Sequence, residues 1–589
     1  MTSGQILSVS ETVMKHKDKN AKTIGLIVED AFRDFSVEII HSVAHVIRNR
    51  KDLRLVVVAG RQVDRLNTDE RIHNYTASYN SIYYINKRCR FDGVIMTFPN
   101  LVEMRREIFK DIPRVFIATD IENELLVNYD NEKGIREAIE YLVRIKGITK
   151  ICMIGGRDDN ADAMRRRKIF IRCLGDNGLT FTEEQYVGSD MHEGSRESAA
   201  RLLDNNPDVQ AVFCVNDPTA VGLYDVMRER GLTPGRDILV FAFDNAAMAS
   251  DMVPPLASIG AEGITLGEKA LNMLLDKMAG KEVCSQTVPT RLYGRGSFEY
   301  EMYDFPTRKM LDIDSVSING FFDDCFYRYK NEVKDPGDID LKRLFYEIIL
   351  RMLQALKERY MSEESRCEIS RLMDIFFENG GMRYTDADRF IRSIKRFQEN
   401  MNETGRTGAV RIEINRLFSY MKDKAIQEMA YRRSIEKRES MRGRTAILDF
   451  VVYMTNYGEP GKEAIDFLVE NFDKIGLTNL ALYLYENPVE YREERGDDLP
   501  DSVMLRCVIR DKMLYVVPEE RQRCPMEEIY SRSELPREDL GYITYPLFYG
   551  NTVYGFLLLS ITRNVIDIGE YVAMQLGRTL FINWGSEKI

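Results

Sequence analysis

Seven short runs, apolar on both faces and ending in small or polar residues, constrain this chain more than anything else in it. They are TIGLIV (23–28), LRLVVVAG (53–60), DGVIMTF (92–98), RVFIAT (114–119), KICMIGG (150–156), QAVFCVND (210–217) and ILVFAFDN (238–245). A strand apolar on both faces must be covered on both, which is the environment of a parallel sheet between two helix layers. Most of the runs are separated by helix-length amphipathic segments. From Val37 to Arg50, Ile39, Ile40, Val43, Val46 and Ile47 fall at helical spacing. This alternation predicts an α/β fold of doubly wound sheets with right-handed crossovers over residues 22–300.

The pattern changes twice downstream. Residues 301–339 are mixed and carry the breaker Pro336-Gly337. Residues 340–360 then place Leu341, Leu344, Phe345, Ile348, Ile349, Met352, Leu353 and Leu356 on one helical stripe, with Asp340 positioned to cap it. Helical character continues to about 446, so residues 301–446 are expected to be a mostly helical connector. From 447 onward a helical stretch (447–457, then 462–472) leads into LALYLYEN (480–487), SVMLRCVIR (502–510) and KMLYVVP (512–518). YITYPLFYGNTVYGFLLLSI (542–561) follows as a hairpin turning at Gly550-Asn551. Residues 447–589 are therefore expected to form an α+β domain, ending in a helix from about 568.

Composition removes several classes of function. The net charge of −11 argues against nonspecific attraction to nucleic acid or anionic membrane. No run of 18 apolar residues predicts a membrane-spanning helix, and MTSGQILSVSETVMKHKDKN lacks the apolar core of a signal peptide. A cytoplasmic location is the expectation. The nine cysteines contain no C-x-x-C pair, and the five histidines show no metal-ligand spacing. Cys152 and Cys214 lie inside strand-like runs and read as small core residues. With no G-x-S-x-G, Walker loop or metal cluster, an enzyme is not expected, and no catalytic residue, metal or cofactor is assigned.

The strand ends carry the chemistry. Ligands of open α/β sheets bind outside the carboxyl ends of strands. There this chain places Glu29-Asp30-Ala31-Phe32-Arg33-Asp34-Phe35, the segment DDNADAMRRRKIF (158–170), Asn216-Asp217 and Asp244-Asn245. Guanidinium donors with amide and carboxylate acceptors suit vicinal hydroxyls. An aromatic ring such as Phe32 or Phe35 suits the apolar face of a sugar or nucleoside.

With these residues in view, AVFCVNDPTAVGLYDVMRERGLTPGRDILVFAFDN (211–245) and LASIGAEGITLGEKALNMLLDKMAGK (256–281) resemble the sensor domain of the lactose-repressor and purine-repressor family. The resemblance covers about residues 22–300. It implies the two-lobed type 1 periplasmic-binding-protein-like fold, a small polar ligand such as a carbohydrate or nucleoside, and a homodimer. Carried over residue by residue, it implies ligand contacts at Arg166, Asn216 and Asp244, with Asp162 and Phe35 as further contacts in divergent loops. That family begins with a helix-turn-helix and a hinge helix; the 21 residues before the first run here are too few for them, so DNA binding is not carried over. Residues 447–589 resemble a GAF-type sensor domain, which in related architectures precedes a GGDEF cyclase; no such string occurs here.

Plainer readings compete at each position. Asp244 could be a turn aspartate and Asn216 a helix cap. Arg165, Arg167 and Lys168 could be a solvated helix face. The segment 406–444, with eleven Lys or Arg and five Asp or Glu, could meet DNA or pair with itself. The expectation is a sensory protein that passes ligand-induced lobe closure through the helices to the GAF-like part or a partner. The alternatives are a DNA-binding regulator with a non-standard DNA-binding region, and the sensory part of a cyclase system.

Overall fold

The computed structural model describes residues 21–48, 50–61, 70–97, 108–298, 305–326, 329, 339–385, 387–405, 408–455, 472, 475–492, 499–535 and 541–586. The N-terminal extension 1–20, the Pro336-Gly337 breaker and most of the expected helix 462–472 lie outside them. In chain order the strands are β1 (Lys22–Glu29), β2 (Leu53–Gly60), β3 (Gly93–Thr97), β4 (Arg114–Ile117), β5 (Leu126–Tyr129), β6 (Ile151–Ile154), β7 (Tyr186–Val187), β8 (Ala211–Cys214) and β9 (Leu239–Phe243). They continue with β10 (Ala257–Ala261), β11 (Gln286–Val288), β12 (Thr290–Tyr293), β13 (Leu480–Glu490), β14 (Ser502–Arg510), β15 (Met513–Val516), β16 (Arg523–Pro525), β17 (Tyr542–Tyr549) and β18 (Thr552–Ser560).

The chain packs as two units, each assembled from separated segments. The first comprises Met1–Tyr129, Thr265–Val288 and Ser440–Ile589; the second comprises Asp130–Ile264 and Pro289–Glu439.

In the first unit a single sheet runs β11-β5-β4-β3-β1-β2-β17-β18-β13-β14-β15, with β16 pairing β14. From β11 to β17 every pairing is parallel. From β17 to β15 every pairing is antiparallel. The apolar sequence of β1 explains its central place, since seven of its eight residues are buried. Helices α1 (Asp34–Arg48) and α2 (Glu70–Lys87) follow β1 and β2.

The antiparallel portion does not stand apart, because β17 hydrogen-bonds in parallel to β2, pairing Tyr542 with Val56, Ile543 with Val57 and Thr544 with Val58. The cause lies in composition. Val56, Val57 and Val58 leave β2 without a polar face, so β2 is unsuited to be a solvent edge. Thr544 donates to the Val57 carbonyl at 3.2 Å. Asn86 on α2 donates to Thr544 at 3.4 Å and to the Ile82 carbonyl at 2.8 Å, and accepts from the Tyr530 hydroxyl. Phe548 lies 5.4 Å from Tyr75 and 6.0 Å, edge-on, from Tyr79. Gly541, at φ +116, opens β17; a Cβ there would lie 2.7 Å from Leu55.

In the second unit the sheet runs β12-β10-β9-β8-β6-β7, parallel except for β12. Helices α3 (Asn131–Glu140), α4 (Ala161–Asp176) and α5 (Asp217–Glu229) accompany it. A helical bundle follows, built from α7 (Ser315–Cys325), α8 (Leu341–Glu358), α9 (Glu363–Glu378), α10 (Ala387–Glu403) and the part of α11 (Ala409–Thr455) up to Glu439; α6 (Leu266–Met278) and α11 from Ser440 on belong to the first unit. The bundle core is aromatic, with Phe321, Phe322, Phe326, Phe345, Phe376, Phe390 and Phe397 all buried. The stripe expected at 340–360 is α8, and Asp340 caps it by accepting from the Arg343 amide at 3.2 Å. Residue 446, placed at a boundary from sequence, lies inside the unbroken helix α11.

Cys152 and Cys214 are buried, and none of the nine cysteines forms a disulfide. Among the described residues no helix is long and apolar enough to cross a membrane, and no cluster of potential metal ligands occurs.

Candidate functional site

The second unit brings four polar side chains together at the carboxyl ends of its strands. Arg166 projects from α4 and is only 4% exposed. Its guanidinium stacks on Phe243, 3.7 Å from the ring centre. It donates to the Asn131 side chain at 3.1 Å, to the Val215 carbonyl at 2.7 Å and to the Asp244 carboxylate at 3.1 Å. Asp162, one helical turn earlier on the same face, accepts from Asn131 at 3.5 Å and from Arg165 at 3.1 Å. Arg166, Asp162, Asp244 and Asn131 thus form one connected group.

Asn216 sits beside this group but faces elsewhere. Its side-chain oxygen accepts from the Thr219 amide at 3.1 Å and the Thr219 hydroxyl at 2.6 Å, while its nitrogen donates to the Met191 carbonyl at 3.0 Å. This is the N-cap of α5, the plainer of the two roles that its sequence allowed.

The turn carrying Asp244 is built rather than loose. Asp244 has φ +105 and Asn245 has φ +52, conformations that side-chain-bearing residues keep only when their surroundings hold them. The Asp244 amide donates to the Ile259 carbonyl at 2.8 Å. The Asn245 amide donates to the Ser258 hydroxyl at 2.9 Å, and the Ala246 amide to Asp217 at 2.7 Å. Ser258 in turn donates to Asp217. Asp217 is fully buried. Burial first, and the neighbouring Asp244 charge second, push its carboxyl well above the usual range, against the Ser258 and Ala246 hydrogen bonds. The sequence named Asp217 only as Asn216's neighbour, and Asn131 not at all. Asn131 follows β5, in which Asn128 interrupts the apolar run.

Arg165 and Arg167 are half-buried, and Arg165 pairs with Asp162 at 3.1 Å. Arg167 pairs with the exposed Glu183 at 2.9 Å and lies over the Tyr186 ring.

In the first unit, Asp30 follows β1 at φ +45, buried, and pairs with Arg33 at 3.0 Å. Phe32 is 46% exposed, and Phe35 is half-buried in the first turn of α1. The sequence did not single out Arg61, at the end of β2. Its guanidinium lies 5.8 Å from the Phe32 ring centre and donates to Glu570 at 2.7 Å. Glu570 sits on α12 (Arg563–Ser586), and burial raises its carboxyl while Arg61 opposes the shift.

These geometries can be set beside known proteins. Residues 139–298 match the family model of the periplasmic binding protein-like domain. The chain is 28% identical over 199 residues to the HTH-type transcriptional repressor PurR of Vibrio atlanticus (strain LGP32), covering 33% of this chain and 59% of that protein. It is 26% identical over 274 residues to the HTH-type transcriptional repressor CytR of Escherichia coli (strain K12), covering 46% of this chain and 76% of that protein. The chain therefore spans well under two thirds of the PurR relative. Among solved structures, a transcriptional regulator CelR-cellobiose complex aligns with a TM-score of 0.41 at 21% identity, over 48% of this chain and 86% of that one.

Proposed function

We propose that this protein is a ligand-responsive regulator that binds a small polar molecule, a carbohydrate or nucleoside, at the strand ends of its second unit. The observation that carries the reading is the connected group Asp244–Arg166–Asn131–Asp162, with Asp244 on a held, positive-φ turn. Asp244, with its side chain 19% exposed, accepts from ligand hydroxyls, and Arg166 fixes its orientation. Asp162 supplies a second carboxylate, and Asn216 contributes through its position beside Val215. Phe32 and Phe35 offer aromatic surface to the same class of ligand. In this reading residues 22–300 form the sensor, 301–446 the helical connector and 447–589 a GAF-like part. The protein acts without catalysis, as a cytoplasmic homodimer.

Isothermal calorimetry with glucose, cellobiose, adenosine and cytidine tests the reading, with Asp244→Ala as control. Heats that the variant abolishes are expected; no heat from any member of the panel refutes it.

A second reading, a DNA-binding transcriptional regulator, is favoured by one observation: the relatives similar to this chain include HTH-type transcriptional repressors. Gel-shift titration with promoter fragments over a salt series decides it, because specific binding to DNA weakens steeply as salt rises. Absence of a shift at low salt refutes it.

A further inference from the structure

We propose that Arg389, on α10 of the helical bundle, is a positioning residue for the Asp244–Ala246 turn, acting through Gly294 and Arg295. The inference rests on the strand-end site proposed above and assigns it a physical link to the bundle.

The link is a short chain of buried polar contacts. At the turn, the Asn245 side-chain oxygen accepts from Arg295 at 2.6 Å. Arg295 has no exposed surface, and its other terminal nitrogen donates to the Leu256 carbonyl at 2.7 Å. The preceding residue, Gly294, accepts at its carbonyl from Arg389 at 2.9 Å. Arg389 is 1% exposed. It also engages Asp324 near the end of α7: Nε donates to the backbone carbonyl at 2.8 Å, and the guanidinium pairs with the carboxylate at 2.5 Å. The segment Gly294–Arg295 is therefore held from the bundle by the buried Arg389 guanidinium and reaches the turn through the buried guanidinium of Arg295 itself.

Burying a cation is costly unless every donor direction is well met, so neither guanidinium tolerates much displacement of its acceptors. The turn needs such restraint, because two consecutive residues there hold positive φ. A shift of α10 relative to α7 would move the Gly294 carbonyl, and with it the arginine that holds Asn245. Coupling of this kind is reciprocal: what the bundle does to the turn, a change at the turn does to the bundle.

Hydrogen exchange by mass spectrometry on the full chain, without ligand, tests the link from both ends. In Arg389→Met, amides of residues 243–246 are expected to exchange about ten-fold faster, with β6 unchanged. In Asn245→Ala, acceleration is expected in α7 and α10. Arg389→Lys is expected to behave like Arg389→Met, because a lysine cannot bridge the Gly294 carbonyl and Asp324 with a planar fork of donors. A purely structural arginine would loosen α7 and α10 and leave 243–246 untouched; that result overturns the proposal. If Arg389→Met does not fold, Asn245→Ala decides alone, and an effect confined to the turn overturns it. No ligand enters the measurement, so its failure is distinct from failure of the calorimetry.

Discussion

Replacing Arg166 by Met keeps the length of the side chain and removes its charge and donors. Three acceptors then lose a charged donor: the Asp244 carboxylate, the Val215 carbonyl and the Asn131 side chain. Breaking one partner out of a buried ion pair costs about 3–5 kcal/mol. Asp244 is 19% exposed at its side chain, so water recovers part of its solvation and the low end applies, about 3 kcal/mol. The reciprocal change, Asp244→Asn, leaves a buried guanidinium uncompensated and should cost about 2–3 kcal/mol. Because each single variant already destroys the pair, the double variant should be less destabilised than the sum, with a coupling of about 1–3 kcal/mol. A chain of two units need not unfold in one step, so the assay should be local. Native-state hydrogen exchange of β8 and β9 amides reads the opening of the second unit, and about 3 kcal/mol appears there as roughly a 150-fold acceleration. A coupling below about 0.5 kcal/mol would class the pair with weak surface ion pairs and refute the argument that Arg166 organises the site.

Gly541→Ala places a Cβ 2.7 Å from Leu55 at a residue with φ +116, and should destabilise the first unit by about 2–4 kcal/mol; an unchanged thermal melt would contradict the β2–β17 junction. A chain truncated before Ser440 loses β17 and leaves β2, with Val56, Val57 and Val58, as an open edge. Self-association by light scattering is expected, and a monodisperse truncated protein would count against it. Asp217 gives a pH dependence. Its folded pKa is raised by burial, so between its unfolded value near 3.8 and the raised folded value the native state holds the extra proton. Its contribution to stability therefore falls as pH rises through that window. Asp217→Asn should flatten the melting-temperature profile of the second unit; an unaltered slope would show that Asp217 does not titrate there.

Much of the fold was legible because the seven apolar runs became β1, β2, β3, β4, β6, β8 and β9. The hairpin at Gly550-Asn551 joins β17 to β18, with Gly550 at φ +56. Strands β7 and β11 have two and three residues, and β5 and β12 are interrupted by Asn128 and Arg291, so none forms an unbroken apolar run. The partnership of β2 with β17 spans nearly the whole chain and has no local signal. Its one trace, a triple valine with no polar face, was equally compatible with a strand inside the sensor sheet. At the site, Arg166 and Asp244 were expected from the resemblance, and the structure joins them by a hydrogen bond of 3.1 Å. Asn216 caps α5, a role that Asn-Asp-Pro-Thr allows beside that of a strand end, because the segment is also a helix start with proline in its first turn.

The junction at β2 also bears on how a signal could reach the C-terminal segment. A sheet bends poorly across a hydrogen-bonded pair, and separating β2 from β17 would expose unpaired backbone together with Thr544, Asn86 and Tyr530, which are buried there. The segment from β13 to α12 therefore moves as one body with the β1–β5 layer. The Arg61–Glu570 pair ties the strand end beside Phe32 to α12, with Glu570 mostly withdrawn from water and Arg61 partly exposed. An event at Phe32 thus reaches α12 through a single ion pair and needs no linker. The turn at Asp244 has its own route, through Arg295 and Arg389, into the bundle. The two strand-end regions are therefore linked, each within its own unit, to different downstream elements: α12 in the first and the bundle in the second.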